Sequence, residues 1–122
     1  MAKRRMLIVD DEPDFLRVLM DYFRPLGYVV DAADNLEDAL ELFQKHKPKV
    51  VLLDFKMPII HGDEFLPVLQ GVDPTVRVIV ITGFARTEVE EKFKGLGYFA
   101  FFEKAGLSLE KVRQKVDEAL TD

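Results

Sequence analysis

Residues 50–58, which read VVLLDFKMP, form a short apolar run that ends at an acidic residue. An apolar run of this length, bounded by Pro48 and Pro58, is typical of a strand that is buried on both faces. Asp54 follows the run directly, and a charge there must lie at the sheet edge, where water or a cation can reach it. The stretch therefore predicts a buried strand with a carboxylate at its carboxyl end.

Other apolar runs of the chain end in polar residues in the same way. Residues 6–9 run into Asp10 and Asp11, residues 76–81 run into Thr82 and Gly83, and residues 98–102 run into Glu103 and Lys104. If these strands are parallel, their polar ends meet at one edge of one sheet. In open α/β sheets, ligands bind at that edge.

The composition is that of one globular domain over residues 1–122. Its 48% hydrophobic and 32% charged residues exclude a disordered chain. A net charge of −5 argues against direct binding to nucleic acid, which requires a basic surface. The absence of cysteine excludes thiolate catalysis. No apolar run has membrane-spanning length, and we expect a cytoplasmic protein.

Apolar residues at helical spacing lie between the predicted strands. We predict strands at 5–9, 28–32, 50–53, 76–82 and 98–102, and helices that begin at Pro13, after Asp34 or Asn35, at Asp63, near Thr87 and after Ser108. The third helix, 63–69, should be short or kinked because Pro67 lies inside it. Alternation of strand and helix predicts an α/β fold with one five-stranded parallel sheet and helices on both faces.

Three carboxylates, those of Asp10, Asp11 and Asp54, should lie close together at the sheet edge. Their mutual repulsion should raise their pKa values and couple their titration. A hard divalent cation relieves such repulsion, and oxygen-only ligands favour Mg2+. The sequence therefore predicts a Mg2+ site.

The ends of the fourth and fifth strands add groups that suit an anion. Lys104 supplies a positive charge, Thr82 supplies a hydroxyl, and Gly83 allows close approach of the backbone. With the carboxylates, these groups form a site for a phosphoryl group. Asp54 can act as the nucleophile and form an acyl phosphate, while Lys104 and Thr82 stabilise the transferring group.

These residues resemble those of the receiver domains of bacterial two-component response regulators, along the whole chain. The matching segments are residues 9–13 (VDDEP), 53–58 (LDFKMP) with Gly62, 81–83 (ITG), Phe101 and Lys104. The resemblance implies a flavodoxin-like three-layer sandwich with strand order 2-1-3-4-5. It also implies that a sensor histidine kinase or a histidine phosphotransfer protein donates a phosphoryl group to Asp54.

The same resemblance implies further roles. Asp11, Asp54 and the main-chain oxygen of Lys56 would bind Mg2+, and Asp10 would act mainly through water. Phosphorylation would draw Thr82 toward the phosphate, and Phe101 would then move inward as a switch. The first helix would meet the phosphodonor. The fourth helix, fifth strand and fifth helix would form an output surface or a homodimer contact, with an output partner that the sequence does not identify.

Two departures from the family pattern generate expectations. Ala105 follows Lys104 where the family usually has proline, and we predict a trans Lys104–Ala105 bond because a cis bond without proline costs about 3–4 kcal/mol. Phe84 is bulky and apolar, and we expect it to restrict the hydrolytic water and lengthen the lifetime of the phosphoryl group.

Some of these residues also suit purely structural roles. Asp10 and Asp11 also suit a helix cap, Phe101 also suits the core, and His46 and His61 are expected at the surface.

Two other functions are considered. One is a Mg2+-dependent phosphohydrolase of the haloacid dehalogenase type, although that family has an Asp-x-Asp pattern after its first strand. The other is a binding adaptor that no longer uses phosphate, against which the intact site argues.

Overall fold

The computed structural model of this chain describes residues 4–121, in which strands and helices alternate. The strands are β1 (Arg5–Val9), β2 (Val29–Ala33), β3 (Val50–Leu53), β4 (Arg77–Thr82) and β5 (Ala100–Glu103), and the helices are α1 (Pro13–Phe23), α2 (Leu36–His46), α3 (Gly62–Val72), α4 (Arg86–Phe93) and α5 (Leu109–Thr121). Across residues 4–121, we find no helix with both the length and the apolar character needed to cross a bilayer.

All five strands form one parallel sheet in the order β2-β1-β3-β4-β5, which confirms the predicted fold class and strand order. In its register, Val9 pairs with Leu53, and Thr82 pairs with Glu103. The Asp54 amide donates to the Val9 carbonyl oxygen at 3.0 Å. The residues that follow these strands are therefore side by side at the carboxyl edge of the sheet.

Two apolar clusters cover the two faces of the sheet. The first packs α2, α3 and α4 against one face, through side chains such as Phe43, Phe65 and Phe93. The second packs α1 and α5 against the other face, through side chains such as Leu19 and Val116. Because β1, β3 and β4 are covered on both sides, their side chains are almost entirely apolar, as expected for central parallel strands.

Helix ends follow local hydrogen-bonding rules. Asn35 caps α2, because its side-chain oxygen accepts from the Asp38 amide at 2.8 Å. At α4, the Glu88 carboxylate accepts from the Ala85 amide at 2.9 Å, so the helix begins at Arg86. Small shifts of one or two residues separate several predicted ends from the observed ones.

The third helix is longer than predicted. It runs from Gly62 to Val72 rather than over 63–69, and it contains Pro67 in its interior. Phe65, Leu66 and Leu69 are buried and hold it against the sheet. This burial outweighs the single hydrogen bond that Pro67 cannot donate, so the helix continues past the proline.

The first residue of α3 contacts the residues that follow β3. The Gly62 amide donates to the Phe55 carbonyl oxygen at 2.7 Å. A Cβ atom at Gly62 would lie 2.3 Å from the Asp54 carbonyl oxygen, which is inside any real contact distance. The absence of a side chain at residue 62 therefore lets α3 begin against the backbone of Asp54.

We predict that Gly62→Ala lowers the free energy of unfolding by about 1–3 kcal/mol, because its Cβ forces the backbone apart at Asp54. Gly71→Ala in the same helix is the matched control. A Cβ at Gly71 meets nothing within 4 Å, so this change should stabilise the chain by about 0.5–1 kcal/mol. Urea denaturation of both variants measures the difference, and equal stabilities would contradict the close contact.

Candidate functional site

The ammonium group of Lys104 lies among three carboxylates at the carboxyl edge of the sheet. It forms ion pairs with Asp10 at 2.7 Å, with Glu12 at 2.5 Å and with Asp54 at 3.4 Å. Carboxylate oxygens of Asp10, Glu12 and Asp54 lie within 4.8 Å of one another. The side chains of Asp10 and Asp54 are buried and that of Lys104 is only 13% exposed, so solvent screens these charges little, whereas Glu12 is 62% exposed and its pair with Lys104 is screened more strongly.

Both oxygens of the buried Asp10 side chain have partners within the protein. Its Oδ1 accepts from the Glu12 amide at 2.8 Å, and its Oδ2 pairs with Lys104. Burial raises the pKa of Asp10, and the hydrogen bond from Lys104 offsets part of that rise. Asp10 thus helps to hold Lys104 and the start of the loop that leads to α1.

Asp54 is also buried, but one of its oxygens is left without a partner. Its Oδ2 pairs with Lys104, whereas its Oδ1 is buried and accepts no hydrogen bond. Burial, followed by the charge of Asp10, raises the pKa of Asp54 to about 6, and the charge of Lys104 limits the rise. A buried carboxylate oxygen without a partner is energetically unfavourable, and it is available to a ligand.

Contacts on several sides fix Lys104. Its ammonium group lies 4.5 Å from the centre of the Phe15 ring, a cation–π geometry. Burial disfavours its charge, but hydrogen bonds with Asp10 and Glu12 outweigh burial and raise its pKa. Glu12 and Phe15 thus position the cation, although neither was among the predicted site residues. Pro13 between them begins α1, which places both beside Lys104.

The position of Asp11 differs from the predicted one. The carboxylate that clusters with Asp10 and Asp54 is Glu12, whereas Asp11 is exposed. Asp10 is buried, whereas Asp11, the next residue along the chain, is exposed beyond the end of β1. Asp11 nevertheless lines the same opening as Asp54, a cavity of about 270 Å³. Lys56, Gly83 and Phe84 complete its lining with Glu12.

The remaining predicted residues are buried beside this cavity. Thr82 is fully buried, and its hydroxyl oxygen accepts from the Phe84 amide at 3.3 Å. Phe101 is 8% exposed and packs against Phe93 and Tyr98, so the inward, core position of its ring is the one observed. The described chain contains no cis peptide bond, which confirms the predicted trans Lys104–Ala105 bond.

A chain of aromatic contacts connects the acidic site with β5. Phe55, the residue after Asp54, packs edge to face with Phe84 at 5.6 Å and with Phe93 at 6.0 Å between ring centres. Phe93 in turn packs against Phe101 at 6.1 Å. The site and the surface around β5 are therefore joined by continuous side-chain packing.

The family model described as "Response regulator receiver domain" matches residues 6–117. The chain belongs to the response regulator receiver domain family. Sporulation initiation phosphotransferase F of Bacillus subtilis (strain 168) is 32% identical over 120 residues, which are 98% of this chain and 96% of that protein. Other curated relatives are longer, and this receiver domain spans 42% of one and 26% of another.

Solved structures agree with this assignment. A CheY-like response regulator receiver domain protein from Methanospirillum hungatei JF-1 superposes with a TM-score of 0.86 and 27% identity, over 98% of each chain. The response regulator TrrA from Thermotoga maritima, in complex with Mg(2+)-BeF, superposes with a TM-score of 0.83 and 26% identity. It covers 94% of this receiver domain and 97% of that chain. The protein is thus a receiver domain of the two-component response regulator type.

The donor set of this receiver domain fits a hard divalent cation such as Mg2+. Its ligand atoms are oxygens, which Mg2+ prefers, and carboxylates of Asp10, Glu12 and Asp54 lie within reach of one ion. The Oδ1 atom of Asp54 is buried without a hydrogen-bond partner, and such a carboxylate oxygen suits a metal ligand. The described residues therefore form an acidic cluster that could hold a metal.

We predict that Asp54→Asn stabilises the receiver domain at neutral pH when metal is removed with EDTA. The folded-state pKa of Asp54, about 6, exceeds the ordinary aspartate pKa of 3.8. The folded chain therefore binds the proton more tightly than the unfolded chain, and stability is lost as the pH rises between these values. Removing the charge should add about 1–3 kcal/mol to the free energy of unfolding at about pH 7.5.

The gain should shrink to less than about 1 kcal/mol at about pH 4, where folded Asp54 is protonated. Denaturant titration of both proteins at the two pH values measures the effect. Asp21→Asn, an exposed change on α1, is the control and should leave stability nearly unchanged at both. An equal gain at the two pH values would exclude the raised pKa as its cause.

Proposed function

We propose that Asp54 accepts a phosphoryl group from a phosphohistidine on a sensor histidine kinase or a histidine phosphotransfer protein. The observation that carries this proposal is the buried, unpartnered Oδ1 atom of Asp54 beside the ammonium group of Lys104. This oxygen has no competing hydrogen bond to break before it attacks. The family membership and the neighbouring carboxylates of Asp10 and Glu12 support the same assignment.

The ionised carboxylate of Asp54 attacks phosphorus, the phosphorus–nitrogen bond of the phosphohistidine breaks, and the electron pair remains on the imidazole nitrogen. That nitrogen takes a proton from water. Lys104 stabilises the negative charge of the transferring group, as a preorganised cation at the site. Because attack requires the ionised form, transfer should weaken below the pKa of Asp54, which is about 6.

Mg2+, when bound, would supply further positive charge to the phosphoryl oxygens. We propose Asp11, Asp54 and the main-chain oxygen of Lys56 as its ligands. Asp10 would act mainly through water, which suits a carboxylate whose two oxygens already bond to Glu12 and Lys104. The exposed position of Asp11 in the cavity beside Asp54 leaves its carboxylate free to approach an ion.

We also propose Thr82 and Phe101 as the switch. The Thr82 hydroxyl would leave the Phe84 amide, with which it now bonds, and bind a phosphoryl oxygen. Phe101 now packs beneath Arg86, whose guanidinium lies 5.0 Å from its ring centre. The ring of Phe101 already lies in the core, so a shift of Thr82 would change how the ring packs there rather than draw it in from the surface. This repacking would change the surface of α4, β5 and α5.

The proposed partners follow from the resemblance to receiver domains. The phosphodonor would contact α1, where Asp14, Arg17 and Val18 are exposed. The α4–β5–α5 surface would form a homodimer or bind an output partner. The net charge of −5 makes direct binding to nucleic acid unfavourable. Residues 1–122 would act as one receiver domain in the cytoplasm.

The decisive experiment is the intact mass of the purified chain after incubation with Mg2+ and a small acyl-phosphate donor. The wild-type chain should gain one phosphoryl group, and EDTA should prevent the gain. Asp54→Asn should gain nothing, whereas the control Asp21→Asn should gain mass as the wild type does. A wild-type chain that gains no mass, or an Asp54→Asn chain that does, would refute the proposed acceptor.

We predict that Phe84→Ala shortens the lifetime of the phosphorylated form several-fold. Phe84 is half-buried at the cavity wall, where its ring packs on Phe55 and lies 5.9 Å from the Lys56 ammonium group. Its removal should open a path for water to the phosphoryl group. Phe84→Leu retains apolar bulk and should keep nearly the wild-type lifetime. Loss of the phosphoryl mass over time gives the dephosphorylation rate of each protein. Equal rates for the alanine variant and the wild type would contradict this role of Phe84.

A further inference from the structure

The loop between β3 and α3 contains an isoleucine in a backbone conformation that isoleucine rarely adopts. Ile59 has φ 75°, in the left-handed region, where a β-branched side chain is strained. Its side chain is also fully exposed, with a relative exposure of 102%. Ile59 therefore has both a strained backbone and an apolar side chain that packs against no other part of the protein. Strain of this kind often marks a functional surface.

Ile59 lies at the wall of an apolar groove between this loop and the start of α2. The groove has a volume of about 340 Å³, and it is lined by Asn35, Leu36, Glu37, Pro58, Ile59 and Ile60. Four of these residues are aliphatic or proline. The groove is therefore large enough and apolar enough to receive an aliphatic side chain from another molecule.

The rim of the groove is acidic. Glu37 lines it, and the exposed carboxylates of Asp34 and Asp38 both accept hydrogen bonds from the Asn35 side chain, at 2.9 and 2.8 Å. The lining contains no lysine or arginine. The rim thus presents several negative charges with no opposite charge among the lining residues, and it would favour a positively charged partner.

We propose that this groove binds a basic segment of a partner protein. The segment would insert one aliphatic side chain beside Ile59 and place lysine or arginine side chains on Glu37, Asp34 and Asp38. Binding would bury the exposed side chain of Ile59, and the free energy gained by burying this apolar surface would offset the backbone strain. The groove lies on the face that carries α2 and α3, whereas α1 covers the opposite face, so this binding leaves α1 free.

The proposal does not rest on phosphoryl transfer, and it is tested on the unphosphorylated full chain. The probe is a synthetic amphipathic peptide of leucine and lysine, and the comparison is the same peptide with glutamate in place of lysine. In an NMR titration, the lysine peptide should shift the amide signals of residues 34–38 and 59–61. Added salt should weaken its binding, and the glutamate peptide should not bind.

Two pairs of variants make the test specific. Ile59→Asn should weaken binding of the lysine peptide at least about tenfold, while it raises Tm by about 4 °C because asparagine tolerates a positive φ. Val72→Asn, at an exposed apolar position on α3, should leave the affinity unchanged. Glu37→Lys should also weaken binding, whereas Glu110→Lys on α5 should not.

A gain in stability together with a loss of binding would separate a docking role for Ile59 from a structural one. Three results would overturn the proposal. The lysine peptide could shift only signals outside the groove, or Ile59→Asn could bind it as the wild type does. Alternatively, sedimentation could show that a second copy of the chain occupies the groove, in a dimer that Ile59→Asn abolishes.

Discussion

The attraction between one ammonium group and three carboxylates is the interaction on which the site depends. Asp10 and Asp54 are both buried, and a buried charge without a partner is strongly destabilising. Lys104 contacts both and is itself held by Glu12 and Phe15. The compensation is incomplete, because the pKa of Asp54 remains raised and its Oδ1 has no partner. The fold thus tolerates a locally unfavourable carboxylate, and that carboxylate is the reactive group of the proposed function.

The parallel sheet brings these charges together from distant parts of the sequence. Central strands that are buried on both faces cannot contain charges, so acidic residues occur only where the strands end. Hydrogen bonds from Asp54 to β1 and from Lys104 to β4 continue the sheet by one residue beyond the strands. From there, the rings of Phe55, Phe93 and Phe101 extend the packing to β5. The same apolar layers that stabilise the sheet therefore connect the site to the surface.

The strand order, the helix-covered faces and the meeting of Asp10, Asp54 and Lys104 at one edge were all predictable. They follow from the positions of polar residues after apolar runs and from the resemblance to receiver domains. The roles of Glu12 and Phe15 were not predictable, because they depend on how the first turn of α1 approaches Lys104. The strain at Ile59 was also hidden, since a sequence does not reveal a positive φ at a residue that ordinarily avoids it.

The close approach of Gly62 to Asp54 has a consequence for how this domain can change. The loop from Asp54 to Gly62 is a closed ring, tied at its ends by the contact with the Asp54 carbonyl and by the hydrogen bond to Phe55. These two contacts therefore fix the number of residues that the loop can contain. An inserted residue or a grafted sequence in this ring would displace either the nucleophilic carboxylate or the first turn of α3. Engineering of new loops is better directed to connections at the opposite edge of the sheet, where no ring closes on the acidic site.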